Sequence, residues 1–584
     1  MQSMVRPLVT ETNDDGSRPR ATPAQDPYAV DPDGLCVVLY PPDEGFWLKI
    51  TWLLGFVASF VLDGVCLSLT LLDARVGMTG SVPPRTRTLE HVATVLLFRH
   101  LIEPLSCACI NHYGFRYCLF IGSLLSIMWI TLLLHSTGNI FIFEYCLVSA
   151  IIGGIGMGAI KTSFSVLLSS LFLVNRQNAH LSRHLGSFSG MMLIPPFTEY
   201  VLLMSYDWRS ALHFHLTLIC SSLVFWLFVV TPVPLKIQPV DEEQSTEDVS
   251  QFQSRAVSTE IQNTENFSVS SQFPTIRKTI GRRGGKTCMR NLMNMFENRT
   301  LGSRPMYRDD ILFNGDVRSL VLGLKSNKYF EFLMSTTRVF TKEDLIEEKC
   351  GRHNISCPIA IRRVLQSMYD TSIWCNEKFV LLLISEALIY ASRFLPFVFI
   401  KGPEGLKTSA EAMIILIAGC LGSLIGRSIG YLFHETSSNG VVPLYHVSLV
   451  LIANGLSLFL CTTGSFVTML PYFGLFGFVF GYYASLKNAV IYSMFPLQKL
   501  NNVRGYISVV RALSSFFGIL IALVIFQRNL LPPVDNENVY IFAGMLMTIG
   551  GVSVGLLRQD MAAAVVVRSL DHSRVGPCHV VQIV

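Results

Sequence analysis

Ten ionisable side chains stand inside runs that are otherwise apolar or small: the cations Arg99, Lys161, Arg393, Arg427, Lys487 and Arg511, and the anions Asp63, Glu103, Glu199 and Glu386. Charges in lipid-spanning helices are costly, and they face a cavity or one another. Arg427 is the sharpest case. It sits in the stretch AGCLGSLIGRSIGYLF, with glycines at 422, 426 and 430 and no other charge within about two turns. A guanidinium stays charged at ordinary pH and grips a planar carboxylate through two parallel hydrogen bonds. Lys161 follows GGIGMGAI, where Gly154 and Gly158 form a small-x-x-x-small face suited to close helix contact, and Arg511 lies within GYISVVRALSSFFGIL. Cations beside glycine faces point toward protein rather than lipid, which predicts an interior cavity suited to an anion. The competing reading is that Asp63, Glu199 or Glu386 neutralises each cation and serves coupling or gating. Arg99 and Glu103 are four residues apart and are expected to pair along one helix face. Lys487 and Arg393 are placed near span ends, where long cationic side chains snorkel to the interface.

Other chemistries find little support. No G-x-x-x-x-G-K-[ST] loop follows a strand, and no nucleophile triad emerges. His213 and His215 are two apart at a helix start, a weak metal pattern. Of the fourteen cysteines most lie in apolar runs, where cysteine is usually a small buried hydrophobe. Cys350 and Cys357 lack the C-x-x-C spacing of a zinc site. No metal or cofactor is expected, and no enzyme. A net charge of +5 over 584 residues gives no reason to expect nucleic acid as a partner.

The elements that position these charges follow from hydropathy. The chain is 51% hydrophobic and only 15% charged, where soluble domains carry about 25% charge. A span needs about 20 apolar residues. That rule marks 47–72, 91–110, 116–135, 141–165, 185–204 and 211–232, then 377–400, 410–432, 442–463, 467–494, 505–527 and 538–557. The prolines of MMLIPPFTEY (191–200) are expected to kink their helix. Two groups of six spans joined by a long polar segment is the pattern of the major facilitator fold, in which repeats surround a central site. The expected organisation is an N-terminal tail (1–46), a six-helix bundle (47–232), a linker (233–375), a second bundle (376–557) and a C-terminal tail (558–584). A receptor or channel with the same helix count is the bland alternative.

The short loops do not satisfy the positive-inside rule. An even number of spans puts both tails on one side, and the absence of a signal-peptide pattern places that side in the cytosol. The linker is rich in Ser, Thr, Gln, Asn and Glu and is expected to be mostly disordered. Its sequons at Asn266, Asn298 and Asn354 should then carry no glycan, and its basic run 277–290 is a solvated cluster or a contact with anionic lipid.

Several stretches, in register along nearly all of 41–557, resemble the monocarboxylate transporter family of the major facilitator fold. They are PPDEGFW before span one, NHYGFR (111–116), GGIGMGAI, YDWRSA (206–211), RPMYRDDILFNG (304–315), RFLPFVFI (393–400), IGRSIG (425–430) and FGFVFGYYASL (476–486). The fifth-span stretch LFLVNRQNAHLSRHLG keeps only Phe172, Arg176, Ala179 and Gly186 of the family pattern. The resemblance implies that Arg427 engages the substrate carboxylate and that Phe394 is an aromatic wall of the pocket. It also allows a single-span accessory subunit, which some relatives require. The departures are specific. Ser423 stands where proton-coupled members carry an aspartate, and span one offers Asp63 in place of a lysine. Facilitated exchange of a carboxylate or zwitterion therefore stands beside proton symport.

The sequence thus leads to an all-α, multi-pass membrane protein of twelve spans in two halves around a central cavity, in the plasma membrane with both termini cytosolic. Its partners are the lipid bilayer and a small carboxylate, bound by Arg427, Ser423, Phe394, Lys161 and Arg511 and gated by Asp63, Glu199 and Glu386. The rivals are an amino-acid-like or zwitterionic substrate, and a non-transporting sensor or scaffold whose working part is the linker.

Overall fold

The computed structural model describes residues 35–38, 46–76, 84–136, 142–172, 175–203, 208–223, 228–229, 236–239, 305–313, 358–400, 409–436, 444–463, 465–495, 499–528 and 537–557. Cys350, Cys357, the three sequons, the basic run and the C-terminal tail lie outside these residues.

Where they are described, the apolar stretches marked above are helical, because in lipid a helix satisfies its own backbone polar groups. The first group comprises α1 (Phe46–Val76), α2 (Pro84–Leu101), α3 (Glu103–Tyr113), α4 (Phe115–Ser136), α5 (Ile142–Leu171), α6 (Arg176–Phe197) and α7 (Trp208–Cys220). After α8 (Ile359–Met368) comes the second group: α9 (Glu377–Arg393), α10 (Leu395–Val398), α11 (Ser409–Thr436), α12 (Leu444–Leu460), α13 (Phe466–Met494), α14 (Leu500–Arg528) and α15 (Glu537–Gly555). Among the described residues eight helices are long and apolar enough to cross a membrane, or nine if α2 and α3, bent by 47° at Ile102, count as one span. The other expected spans fall short for visible reasons. α6 opens on the polar run RQNAHLSRHL, while α7 and α12 have 13 and 17 residues. Pro195 and Pro196 lie near the end of α6, which widens into a π-helical turn at Thr198–Leu203. A proline's missing N–H disrupts the regular ladder there.

The two groups repeat one packing scheme. α1 packs on α6, α2 on α5, and α4 on both α5 and α7. In the second group α9 packs on α14, α11 on α13, and α12 on both α13 and α15. Glycines set the closest of these contacts. A Cβ at Gly154 or Gly158 of α5 would strike the Val95 or Arg99 carbonyl of α2, and one at Gly422 or Gly426 of α11 would strike those of Gly474 or Phe478 in α13. These are the small-residue faces through which membrane helices approach. The halves meet where α2 packs on α14 and α6 on α11. At the α3–α4 junction Gly114 takes a φ of 87°, which a side chain would resist.

By contact density the helical bundle takes in residues 45–231, 309–322 and 361–584. The remaining unit contains a short antiparallel ribbon, Leu35–Val38 against Lys236–Pro239. Parts of the linker are therefore built structure rather than disordered chain. Asp310, fully buried, accepts a 3.0 Å ion pair from Arg176 at the start of α6, whose Nη1 also donates to the Asp310 and Phe313 carbonyls. Past α8, Asn502 of α14 donates to the Asp370 carbonyl at 2.8 Å. The Asp370 carboxylate caps the 3-10 turn Thr371–Cys375 through the Ser372 N–H and hydroxyl.

Candidate functional site

Two buried carboxylates organise the interior charges. Asp63 of α1 accepts from Arg99 of α2 at 2.7 Å, from Lys161 of α5 and from the Ser187 hydroxyl of α6. Glu386 of α9 accepts from Lys487 of α13 at 2.5 Å and from Arg511 of α14 at 3.2 Å. One turn along α9, the Tyr390 ring lies 4.6 Å from the Lys487 ammonium and 4.8 Å from the Arg511 guanidinium. Each acid thus holds two cations, and each buries them at the cost of desolvation.

Three further guanidiniums stand near one another and outside these two triads. Arg427 of α11, 6% exposed, donates to the Ala484 carbonyl at 3.3 Å and lies 5.8 Å from the Phe188 ring of α6. Arg393, at the end of α9, donates to the Tyr390 hydroxyl at 2.8 Å and stacks over Tyr390, Phe394 and Phe480. Arg183 of α6 donates to the Lys161 carbonyl at 3.1 Å. None of the three has a carboxylate within 4 Å among the described residues. Arg393 and Arg183 are near enough for their charges to bear on Arg427. The cluster lies where the halves meet, for Phe188 of α6 packs edge-on against Phe480 of α13 at 6.4 Å, and His100 of α2 against Tyr390 at 5.9 Å.

Several expectations need correction. Arg99 pairs with Asp63 rather than Glu103, because the chain breaks at Ile102 and the regular four-residue spacing is lost. Lys487 does not snorkel. It is buried well inside α13 in its ion pair. Arg393 is near a helix end, yet its guanidinium turns onto three rings. Lys161 and Arg511 are both neutralised by acids, so neither adds uncompensated charge. Glu199 lies buried in the π-helical turn and holds none of these cations. The Ser423 hydroxyl, one turn from Arg427, donates back to Gly419 of its own helix at 2.9 Å. Phe394 is half-buried beneath Arg393. His215 is an interior group whose Nε2 lies 2.9 Å from the Ser68 hydroxyl and 3.1 Å from that of Thr198, while its buried Nδ1 has no hydrogen-bond partner. No cluster of metal-ligating residues occurs among the described residues.

Sequence reasoning overlooked Arg183, which falls in a short polar-looking stretch read as a loop. The signal was its place seven residues into a run that continues as LGSFSGMMLI, where a helix already under way must carry it inward.

Two helical groups that repeat one packing scheme, with charged residues at the seam between them, define a membrane carrier. The chain belongs to the Major Facilitator Superfamily, whose family model matches residues 51–519. It is a transporter and not an enzyme. Its fold is similar to that of the proton:xylose symporter XylE bound to 6-bromo-6-deoxy-D-glucose, with a TM-score of 0.51 and 12% identity over 88% of this chain and 96% of that one. A partially occluded inward-open form of the xylose transporter XylE from E. coli gives a TM-score of 0.50 and 11% identity, over 87% and 98% of the two chains. Comparison with curated proteins gives no match.

Proposed function

We propose that this chain carries small organic carboxylates across the plasma membrane by alternating access, as a divergent member of the monocarboxylate branch with both termini in the cytosol. The observation that carries the reading is the charge remainder. Asp63 and Glu386 each hold two cations, whereas Arg427, Arg393 and Arg183 have no carboxylate within 4 Å among the described residues, although the charges of Glu103 and Asp63 bear on Arg183. Guanidiniums removed from water need an anion, and a carboxylate matches their planar fork. An uncharged sugar such as the xylose of the structural neighbours would leave that charge unanswered. Arg427 is the anchor, because it is the most deeply buried of the three, 6% exposed, and lies 5.8 Å from Phe188 of the other half. A cargo held there touches both halves at once. A zwitterionic, amino-acid-like cargo is the second reading, favoured by the aromatic faces of Phe188 and Phe480, which attract an ammonium group.

The test is uptake of radiolabelled pyruvate, lactate, aromatic amino acids and carnitine-like zwitterions into proteoliposomes, with and without a pH gradient. Arg427→Ala is expected to abolish saturable uptake while inserting normally. Uptake by that variant at an unchanged KM would refute the assignment. Silence of the wild type across the panel would favour the sensor or scaffold reading.

A further inference from the structure

The three guanidiniums outside the acid triads are not equally available. A guanidinium carries five N–H donors in a fixed fork. Arg427 spends one hydrogen bond on the Ala484 carbonyl, and Arg393 one on the Tyr390 hydroxyl. Their other side-chain nitrogens are not among the described buried atoms that lack a partner, so those donors are not sealed from solvent. Arg183 differs. Its Nε is buried without a partner, and the charges of Glu103 and Asp63 bear on it. Two guanidiniums with unspent, reachable donors are left, and neither has a carboxylate within 4 Å among the described residues.

These two flank one pair of rings. The Arg393 guanidinium lies 4.9 Å from the centre of the Phe480 ring, Phe480 meets Phe188 at 6.4 Å, and Arg427 lies 5.8 Å from Phe188. Among the charges that bear on Arg427, that of Arg393 is the largest. Stacking on Tyr390, Phe394 and Phe480 covers the flat faces of Arg393, and the Tyr390 hydroxyl takes Nη1. Its Nε and Nη2 remain as the edge that can grip a carboxylate side-on. Like charges held together away from water repel. A cargo with one carboxylate answers one of them, and a cargo with two answers both.

We propose that Arg393 is a second anchor beside Arg427 and that the cargo is a small dicarboxylate, with one carboxylate on each guanidinium and its carbon chain against Phe188 and Phe480. This inference rests on the reading of Arg427 as a carboxylate anchor, and it narrows that reading to carboxylates with two acidic groups. Tyr390 is then a positioning residue. Its hydroxyl fixes one corner of the Arg393 fork and its ring supports one face, so the free edge has a single orientation.

The experiment uses the full-length protein in proteoliposomes and two four-carbon probes that differ by one carboxylate, radiolabelled succinate and butyrate. Saturable uptake is measured at about pH 7.5, where the carboxyl groups are ionised. The quantity read is the ratio of kcat/KM for the two probes, in which differences in insertion and active fraction cancel. In the wild type the ratio should favour succinate by at least about tenfold, the factor set by one charge-assisted hydrogen bond. Arg393→Gln should bring it close to one. Arg393→Lys keeps the charge without the fork and should retain part of the preference. Tyr390→Phe should lower the ratio without abolishing it. A merely structural role for Arg393 would reduce uptake of both probes in proportion and leave the ratio where it was. If Arg393→Gln does not fold, Tyr390→Phe decides. A wild-type ratio near one, or an unchanged ratio in the folded variant, overturns the proposal. So does inorganic phosphate that competes with succinate as strongly as unlabelled succinate, because charge alone would then be read. Uptake of butyrate, pyruvate or lactate with no preference for succinate sinks this inference and spares the carboxylate reading, whereas silence of every carboxylate sinks the reading itself.

Discussion

Replacing Asp63 by asparagine tests whether the first-half triad is held by charge rather than by shape. The amide preserves the outline of the side chain and removes only its charge. Arg99 and Lys161, whose side chains are 13% and 15% exposed, would then face a neutral group with no other carboxylate within 4 Å among the described residues. Breaking a buried pair by removing one partner costs about 3–5 kcal/mol. The partial exposure of both cations puts Asp63→Asn near about 3 kcal/mol. With about 2–4 °C of melting temperature per kcal/mol for a unit of roughly 150–250 residues, the size of the first helical group if it melts on its own, the variant should melt roughly 10 °C below the wild type. The assay is intrinsic fluorescence of the detergent-solubilised protein at one fixed scan rate, because unfolding of large proteins is commonly irreversible. Removing the stranded ammonium as well should restore part of the loss, so Asp63→Asn/Lys161→Met is expected to melt above Asp63→Asn. The double-mutant cycle then reports a coupling that the single variants cannot. A melting point for Asp63→Asn within about 2 °C of the wild type, or a double variant less stable than the single one, would refute the reasoning.

Two further outcomes follow from local geometry. Gly426→Ala puts a Cβ inside the Phe478 carbonyl, with backbone on both sides of the contact, so α11 and α13 must separate. Folded yield should drop severalfold, by the overpacking cost of about 1–3 kcal/mol, while Gly474→Ala, with 3.9 Å to its nearest neighbour, should be tolerated; equal yields from the two would contradict the packing argument. Asp370 has its carboxyl held below the usual range by the Ser372 hydroxyl and backbone N–H. Its stabilising effect is therefore full above the unfolded carboxylate pKa and is lost as pH falls through the lower folded value. Hydrogen exchange of 371–375 should accelerate at acid pH relative to the intrinsic rate in the wild type, and Asp370→Asn should flatten that dependence.

Much of the fold was legible because a membrane simplifies the physics. Hydrocarbon forces apolar runs into helices, so the twelve stretches and their division into two groups follow from hydropathy. The glycine series at 154 and 158 and at 422, 426 and 430 announced close helix faces, and the structure sets them against carbonyls of α2 and α13. What hydropathy could not give was the fate of the linker; the break at Ile102 was written in the sequence as Pro104, which stands in the first turn of α3 and cannot continue the hydrogen-bond ladder of α2. The composition of 233–375 averages over segments with different roles. Asp310 reads as an ordinary loop acid until Arg176, 134 residues earlier, is seen to bury it.

The site was harder to read for a reason that also identifies it. Ion pairs across helices join residues 36, 98, 101 and 125 positions apart, and no spacing rule connects Arg99 to Asp63 or Lys161, Lys487 and Arg511 to their acids. The one local pair that a spacing rule did suggest, Arg99 with Glu103, is not made. A list of intramembrane charges therefore carries too many candidates, and only the pairing removes them. Once each acid has taken its two cations, Arg427 is left because of its partners' choices rather than its own neighbours. Its glycine-flanked stretch shows that the backbone packs closely there. It does not show that the guanidinium is unclaimed. An anion site of this kind is a remainder, and a remainder becomes visible only when every pairing around it is known.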